Sequence, residues 1–332
     1  MNRILFFVFL VLTQFYFAQQ KKIPIIFDSD MGPDYDDVGA IAILHSYADS
    51  GYVNILAICA STKYEGVAGV MNVFNTYFGR PGILIGVPKG NASIQKDPQK
   101  WTDFILANYP HSIKNNNEAN DAVSVYRKAL ASQANNSVTI VTVGFLTNLA
   151  GLLNSQADEY SPLSGLDLIK DKVAKLVCMA GQFPNGKEFN LFTDSEAAKI
   201  VFENWPSEII FNGFEIGVNI KSGLPLIKNK KINHSPIKDV FSICIPKSIS
   251  DSLGRMSWDE VAVIIAVKGY KDWYNVEHGK IIVEDDGSNS WDKNKEGHYY
   301  IVPSAPFPKI ETYINQLIQH QPNIKKTNDE RL

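Results

Sequence analysis

The chain has 332 residues, 45% of them hydrophobic, and a formal net charge of −3 at pH 7. That is enough apolar material for one large core, and α/β chains of this length often remain one domain. A slightly acidic balance with no basic patch excludes a protein that gains affinity by neutralising phosphates, so no nucleic-acid partner is expected.

Residues 1–20 carry a basic Arg3, then a run rich in Leu, Phe and Val, and a small residue, Ala18, near the end. This is the layout of a secretory signal peptide. Its apolar part is short for a bilayer span, so the segment reads as removed, with an uncleaved anchor as the other reading. The expectation is a secreted or periplasmic protein with no stable membrane association after cleavage. Residues 21–318 then form a single α/β domain, and residues 319–332, polar and without periodicity, a flexible tail. Cys59, Cys178 and Cys244 each sit in an apolar run. An odd count gives no disulfide framework, and buried reduced thiols are the expected state.

Residues 23–27 make a short apolar run that reads as a buried strand, and Asp28, Asp30, Asp34, Asp36 and Asp37 follow within ten residues. Carboxylates so close raise one another's pKa, so such a cluster either faces open water or binds a cation. A strand that opens through a Gly-containing loop into a helix is also where ligand sites of open α/β sheets lie. With no His or Cys nearby, an all-oxygen ligand set suits calcium or magnesium. The other reading is an Asp-rich turn in which one aspartate caps the helix.

Beyond this stretch the pattern alternates. Helices are predicted at 42–48, 67–78, 123–133, 148–153 and 195–203, and strands at 53–59, 83–87, 138–143, 173–179 and 209–211. This order predicts an open, mostly parallel sheet flanked by helices. Residues 281–300, with Asp-Asp-Gly in their middle, read as an appended antiparallel hairpin.

Three later stretches carry polar groups that suit a ligand. Residues 138–143 end at Gly144, and Thr147 and Asn148 open the next helix, so a carbonyl near Gly144 can point into the aspartate crevice. Glu188 and Asn190 lie two apart and share one face if the chain is extended there, a pairing that grips vicinal hydroxyls. Trp258 and Asp259 precede an apolar helix at 261–267, where Asp259 can serve as a cap or as a ligand.

The order of these pieces is what discriminates. D-x-D-x-G…D-D at the first strand, V-G-x-L-T-N-L-A, E-F-N…D-S-E-A-A and a late W-D together resemble the inosine/uridine-preferring nucleoside hydrolase family. The segments N-T-Y-F-G-R-P, V-Y-R-K-A-L, N-W-P and S-W-D resemble a secreted bacterial branch of it. The resemblance implies a nucleoside-hydrolase-like fold and a calcium-dependent enzyme that splits the N-glycosidic bond of ribonucleosides into ribose and free base. It implies Asp30 as general base, with Asp30, Asp37, Asp259 and the carbonyl of Val143 around the ion. It further implies Asp36, Asn185, Glu188 and Asn190 around the ribose of a small-molecule nucleoside, in a chain that can form a homo-oligomer. The first loop is two residues longer than the family pattern, which leaves Asp34 without a role. Where many relatives carry a His that protonates the leaving base, this chain has Trp258, which can stack on a base but cannot act as that acid. Two alternatives stand beside this reading: a non-catalytic, calcium-dependent sugar or nucleoside binder, and an aspartate-nucleophile phosphatase using Asp28.

Overall fold

The computed structural model describes residues 21–322. The segment read as a signal peptide lies outside the described residues, as do residues 323–332. Thirteen strands run along the described residues: β1 (Ile23–Ser29), β2 (Val53–Ala60), β3 (Leu84–Val87), β4 (Asn120–Asp121), β5 (Val138–Thr142), β6 (Val173–Met179), β7 (Asn185–Lys187), β8 (Glu208–Asn212), β9 (Lys221–Ser222), β10 (Arg255–Met256), β11 (Tyr274–Val283), β12 (Ser288–Asp292) and β13 (His298–Pro303). The main sheet has the order β4-β3-β2-β1-β5-β6-β8-β13-β11-β12-β7. From β4 to β13 every pairing is parallel, and the β11, β12 and β7 pairings at the far edge are antiparallel.

The predicted alternation is therefore present, and its physical origin shows in β1. Ile25, Ile26 and Phe27 are all fully buried, because helices cover both faces of the sheet and leave no polar side. Successive side chains enter opposite cores: Ile25 and Phe27 pack with the helices Asp36–Asp49, Val67–Tyr77 and Trp258–Lys268, while Ile26 packs with Ala122–Ala131, Thr147–Asn154 and Ser195–Asn204. Cys59, Cys178 and Cys244 are all buried and free.

The antiparallel hairpin is present and is better integrated than a simple appendage. It begins at Tyr274, turns at Gly287, and β13 then pairs with both β11 and β8, so the last strand stitches the hairpin into the parallel sheet. The chain also stays packed past residue 318. Gln319 accepts from Asn229 at 2.8 Å, His320 lies 2.6 Å from Asp49, and Gln321 accepts from the Tyr77 hydroxyl at 2.8 Å. Polar composition suggested a free tail there, but each side chain finds a partner on the body.

The helices Asp36–Asp49 and Trp258–Lys268 carry the acidic residues, and both are buried almost all round. They approach closely at Gly39, where a Cβ would lie 2.2 Å from Oε1 of the buried Glu260. Gly39→Ala should therefore lower unfolding free energy by about 1–3 kcal/mol, even though Ala is favoured over Gly inside a helix by about 1 kcal/mol. A urea midpoint equal to or above that of the unsubstituted chain would contradict this packing.

Candidate active site

The site forms where β1 ends. Ser29 fixes the turn: its hydroxyl donates to Asp37 Oδ1 and accepts from the Met31 amide at 3.0 Å. Asp30 then turns inward against Gly144, where a Cβ would lie 2.4 Å from the Asp30 amide nitrogen. The glycine after β5 is thus required by close backbone approach. Asp28, one residue pair earlier, points away. Its Oδ2 accepts from the Tyr126 hydroxyl and from Asn148 Nδ2, each at 2.9 Å, so it ties two helices to the sheet and does not line the cavity. A nucleophilic aspartate has to face its substrate, which removes the support for the phosphatase alternative.

A cavity of about 200 Å³ is lined by Asp30, Asp34, Asp36, Val143, Met179, Glu188, Phe189, Asn190, Phe214, Arg255, Trp258 and Asp259. Most residues picked out in the sequence converge here from distant segments. Glu188 and Asn190 do so in a conformation other than the extended one expected. Glu188 is the N-cap of the helix Phe189–Thr193, accepting from the Asn190 amide at 2.8 Å and the Gly181 amide at 3.0 Å. Asn190 Nδ2 donates to the carbonyls of Val143 at 2.9 Å and Met179 at 3.0 Å. Asn185 is the exception: it lies exposed on the edge strand β7 and outside the cavity lining. Asp259 is no simple cap, because the amides of Trp258 and Asp259 are capped from across the site by Asp36 Oδ2 at 3.1 and 3.3 Å.

The electrostatics are severe. Burial first, then repulsion from neighbouring carboxylates, pushes Asp30, Asp37 and Asp259 well above the usual carboxylate range. Asp36 is pushed up to about 7 and Asp34 to about 6, in each case by desolvation that outweighs the pull of Arg255. Glu188 is raised to about 7 by burial, against the amides that favour its charge. Oxygens of Asp34, Asp36 and Asp259 come within 4.8 Å of one another, so this acidic cluster can hold a metal cation. Asp37 Oδ2 is buried with no hydrogen-bond partner, a second sign that these donors fit a cation.

Sequence reasoning missed Arg255. Its Nε and Nη2 donate to Asp36 Oδ1 at 3.0 and 2.6 Å, and Nη2 also pairs with Asp34 at 2.7 Å. The guanidinium lies against the rings of Tyr35, 5.0 Å away, and Trp258, 5.3 Å away. The Arg just upstream of S-W-D was visible, but nothing local ties it to Asp36, 219 residues away. Trp258 does reach the cavity, stacked on Phe214 at 5.3 Å with its indole N–H donated to the Phe214 carbonyl at 2.8 Å. No histidine lines the cavity among the described residues.

Fold and site together define an α/β protein with a cation-competent, carboxylate-lined ligand cavity at the carboxyl ends of its central parallel strands. The chain belongs to the inosine-uridine preferring nucleoside hydrolase family, whose model matches residues 25–298. It is 30% identical over 202 residues to the pyrimidine-specific ribonucleoside hydrolase RihA of Salmonella enteritidis PT4, an alignment covering 55% of this chain and 57% of that relative. The matched stretch is therefore little more than half of that relative's length. The inosine-uridine preferring nucleoside hydrolase of Crithidia fasciculata is 24% identical over 231 residues, covering 66% of this chain and 69% of its own. Among solved structures, the plant nucleoside hydrolase PpNRh1 shares the fold with a TM-score of 0.68 at 19% identity, over 90% of this chain and 99% of that one.

The raised carboxylates predict an unusual pH dependence. Asp28 and Glu188, each held at about 7 when folded against ordinary values of 3.8 and 4.5, keep protons that the unfolded chain has already released. Their contribution is complete below the unfolded values and is lost as pH rises through about 7. In chelator the thermal midpoint should fall between about pH 5 and pH 7.5, and Asp28→Asn should flatten that fall. Added calcium should raise the midpoint most at the upper end, where it meets ionised ligands. A midpoint indifferent to the cation across that range would sink the cation site.

Proposed function

We propose that the protein is a calcium-dependent N-ribosyl hydrolase that converts ribonucleosides to ribose and free base, with Asp30 as general base. One observation carries the cation assignment. Asp34 and Asp36 already face Arg255, whereas Asp30, Asp37 and Asp259 have no cationic partner among the described residues and repel one another. The oxygens that lie within 4.8 Å of one another are those of Asp34, Asp36 and Asp259, so the placement of the ion among Asp30, Asp37 and Asp259 rests on charge balance, with Asp259 common to both sets. An all-oxygen set, with the nearby Val143 carbonyl, suits calcium.

When bound, calcium would lower the pKa of a coordinated water and orient sugar hydroxyls. The protein residues supply the rest. Breaking the bond from C1′ to the base nitrogen builds positive charge on the ribosyl ring, and the anionic lining of the cavity stabilises that charge. Asp30, raised above the ordinary range, is suited to take the proton of the attacking water. Glu188 and Asn190, fixed by the Gly181 amide and the Val143 and Met179 carbonyls, hold the ribose hydroxyls, and Asn190 keeps Oδ1 free for this purpose. Asp36 faces the sugar from the other wall, and Trp258 offers part of an apolar wall for the base. Asn185, on its exposed edge strand, has no part in this arrangement. We further infer from the N-terminal segment that the enzyme works outside the cytoplasm. No helix among the described residues is long and apolar enough to cross a membrane.

The test is a panel of purine and pyrimidine nucleosides given to the protein lacking residues 1–20, with ribose release read as reducing sugar. We expect turnover that a chelator abolishes. Asp30→Ala should cost about 10²- to 10⁴-fold in kcat with an unchanged circular dichroism spectrum. Calorimetric binding of nucleosides with no turnover over hours would replace the hydrolase with the non-catalytic binder.

A further inference from the structure

The hydrolase reading, on which this inference rests, leaves one chemical requirement unmet. When the C1′–N bond breaks, its electron pair stays on the base nitrogen, and that negative charge needs a donor. Among the cavity-lining side chains the candidates are few: Asp30 and Asp259 are assigned above to the attacking water and the cation, and both oxygens of Glu188 accept from the Gly181, Asn190 and Leu191 amides. Val143, Met179, Phe189 and Phe214 have no side-chain donor. The Trp258 indole N–H is spent on the Phe214 carbonyl, and Asn190 Nδ2 is spent on two carbonyls. Both oxygens of Asp36 already accept hydrogen bonds, Oδ1 from Arg255 and Oδ2 from the Trp258 and Asp259 amides, and Asp34 faces the same guanidinium, so neither is placed to donate to a base.

Arg255 is different. Its Nε and Nη2 are engaged by Asp36 and Asp34, while Nη1 has no protein partner among the described residues, and the side chain belongs to the cavity lining. The group is also held firmly. Two carboxylates grip one edge, the Tyr35 and Trp258 rings lie within 5.3 Å of it, and the side chain is only 10% exposed. A donor fixed before the reaction gives the largest electrostatic benefit, because nothing must reorganise as charge develops.

We propose that Arg255 stabilises the departing base, donating a hydrogen bond from Nη1 to it as negative charge builds up. A guanidinium does not release its proton, so the base leaves as an anion and is protonated by solvent, while water adds at C1′ and passes its proton to Asp30. The charge on the leaving base is thus balanced by a cation three residues before the position where many relatives carry a proton donor, and Trp258 serves as one wall of that cation's clamp.

The experiment compares two substrates in one variant, so that any loss of folded protein cancels. A nucleoside such as uridine or inosine has a poor leaving group and needs the donor. The p-nitrophenyl riboside has a good leaving group and needs it far less. Removing a preorganised donor costs about 10²- to 10³-fold in comparable sites. Arg255→Met should therefore lower kcat/KM for the nucleoside at least about tenfold more than for the aryl riboside. Arg255→Lys, which retains the charge without the planar fork, should recover part of that difference. Equal losses on both substrates, in both variants, would show that Arg255 only props the aspartate loop and would overturn this role while leaving the hydrolase intact. An unsubstituted protein that cleaves neither substrate would overturn both.

Discussion

The constraint that shapes this molecule is the crowding of buried carboxylates at the carboxyl end of β1. Asp30, Asp36, Asp37 and Asp259 are all at most 6% exposed, with Asp34 beside them, and Arg255 is the cation set directly against them. Burial makes each charge costly, and repulsion makes the set costlier still. Such an arrangement persists only when a rigid scaffold imposes it and a ligand relieves it. The sheet supplies the scaffold, since β1 is central and has strands on both sides and helices on both faces.

Much of the surrounding structure can be understood as positioning for that cluster. Ser29 orients Asp37, Gly144 admits the backbone of Asp30, and Asp36 caps the helix that carries Asp259. Gly39 lets that helix lie against the helix that begins with Asp36. On the opposite wall, Glu188 caps its own short helix and Asn190 bridges two strand-end carbonyls, so these groups are as firmly held as the acidic ones. Preorganisation of this kind is what a site needs if it is to favour a charged transition state over the ground state.

The cavity also divides its charges. On one side, Asp34 and Asp36 are compensated by Arg255; on the other, Asp30, Asp37 and Asp259 are not. Asp34, in the loop between β1 and the helix Asp36–Asp49, gives the guanidinium its second anchor.

By itself the sequence determined the alternation of strands and helices, the central buried strand, and the segments that meet at the site. These are local properties: apolar period and run length follow from the geometry of one element, and aspartates clustered after a strand need no knowledge of the rest of the chain. Only the tertiary structure decided the roles of individual side chains. Asp28 and Asp30 lie two residues apart in the same acidic run, yet one braces two helices and the other enters the cavity. Asn185 falls outside, Glu188 and Asn190 work from a helix start, and Gln319 to Gln321 are packed despite their polarity. Arg255 was hidden for the same reason. Its partner Asp36 is 219 residues away, and the interaction exists only once β9 and β10 have brought it to the first helix. A charge acquires its function from what packs beside it, and long-range packing is written in no local pattern.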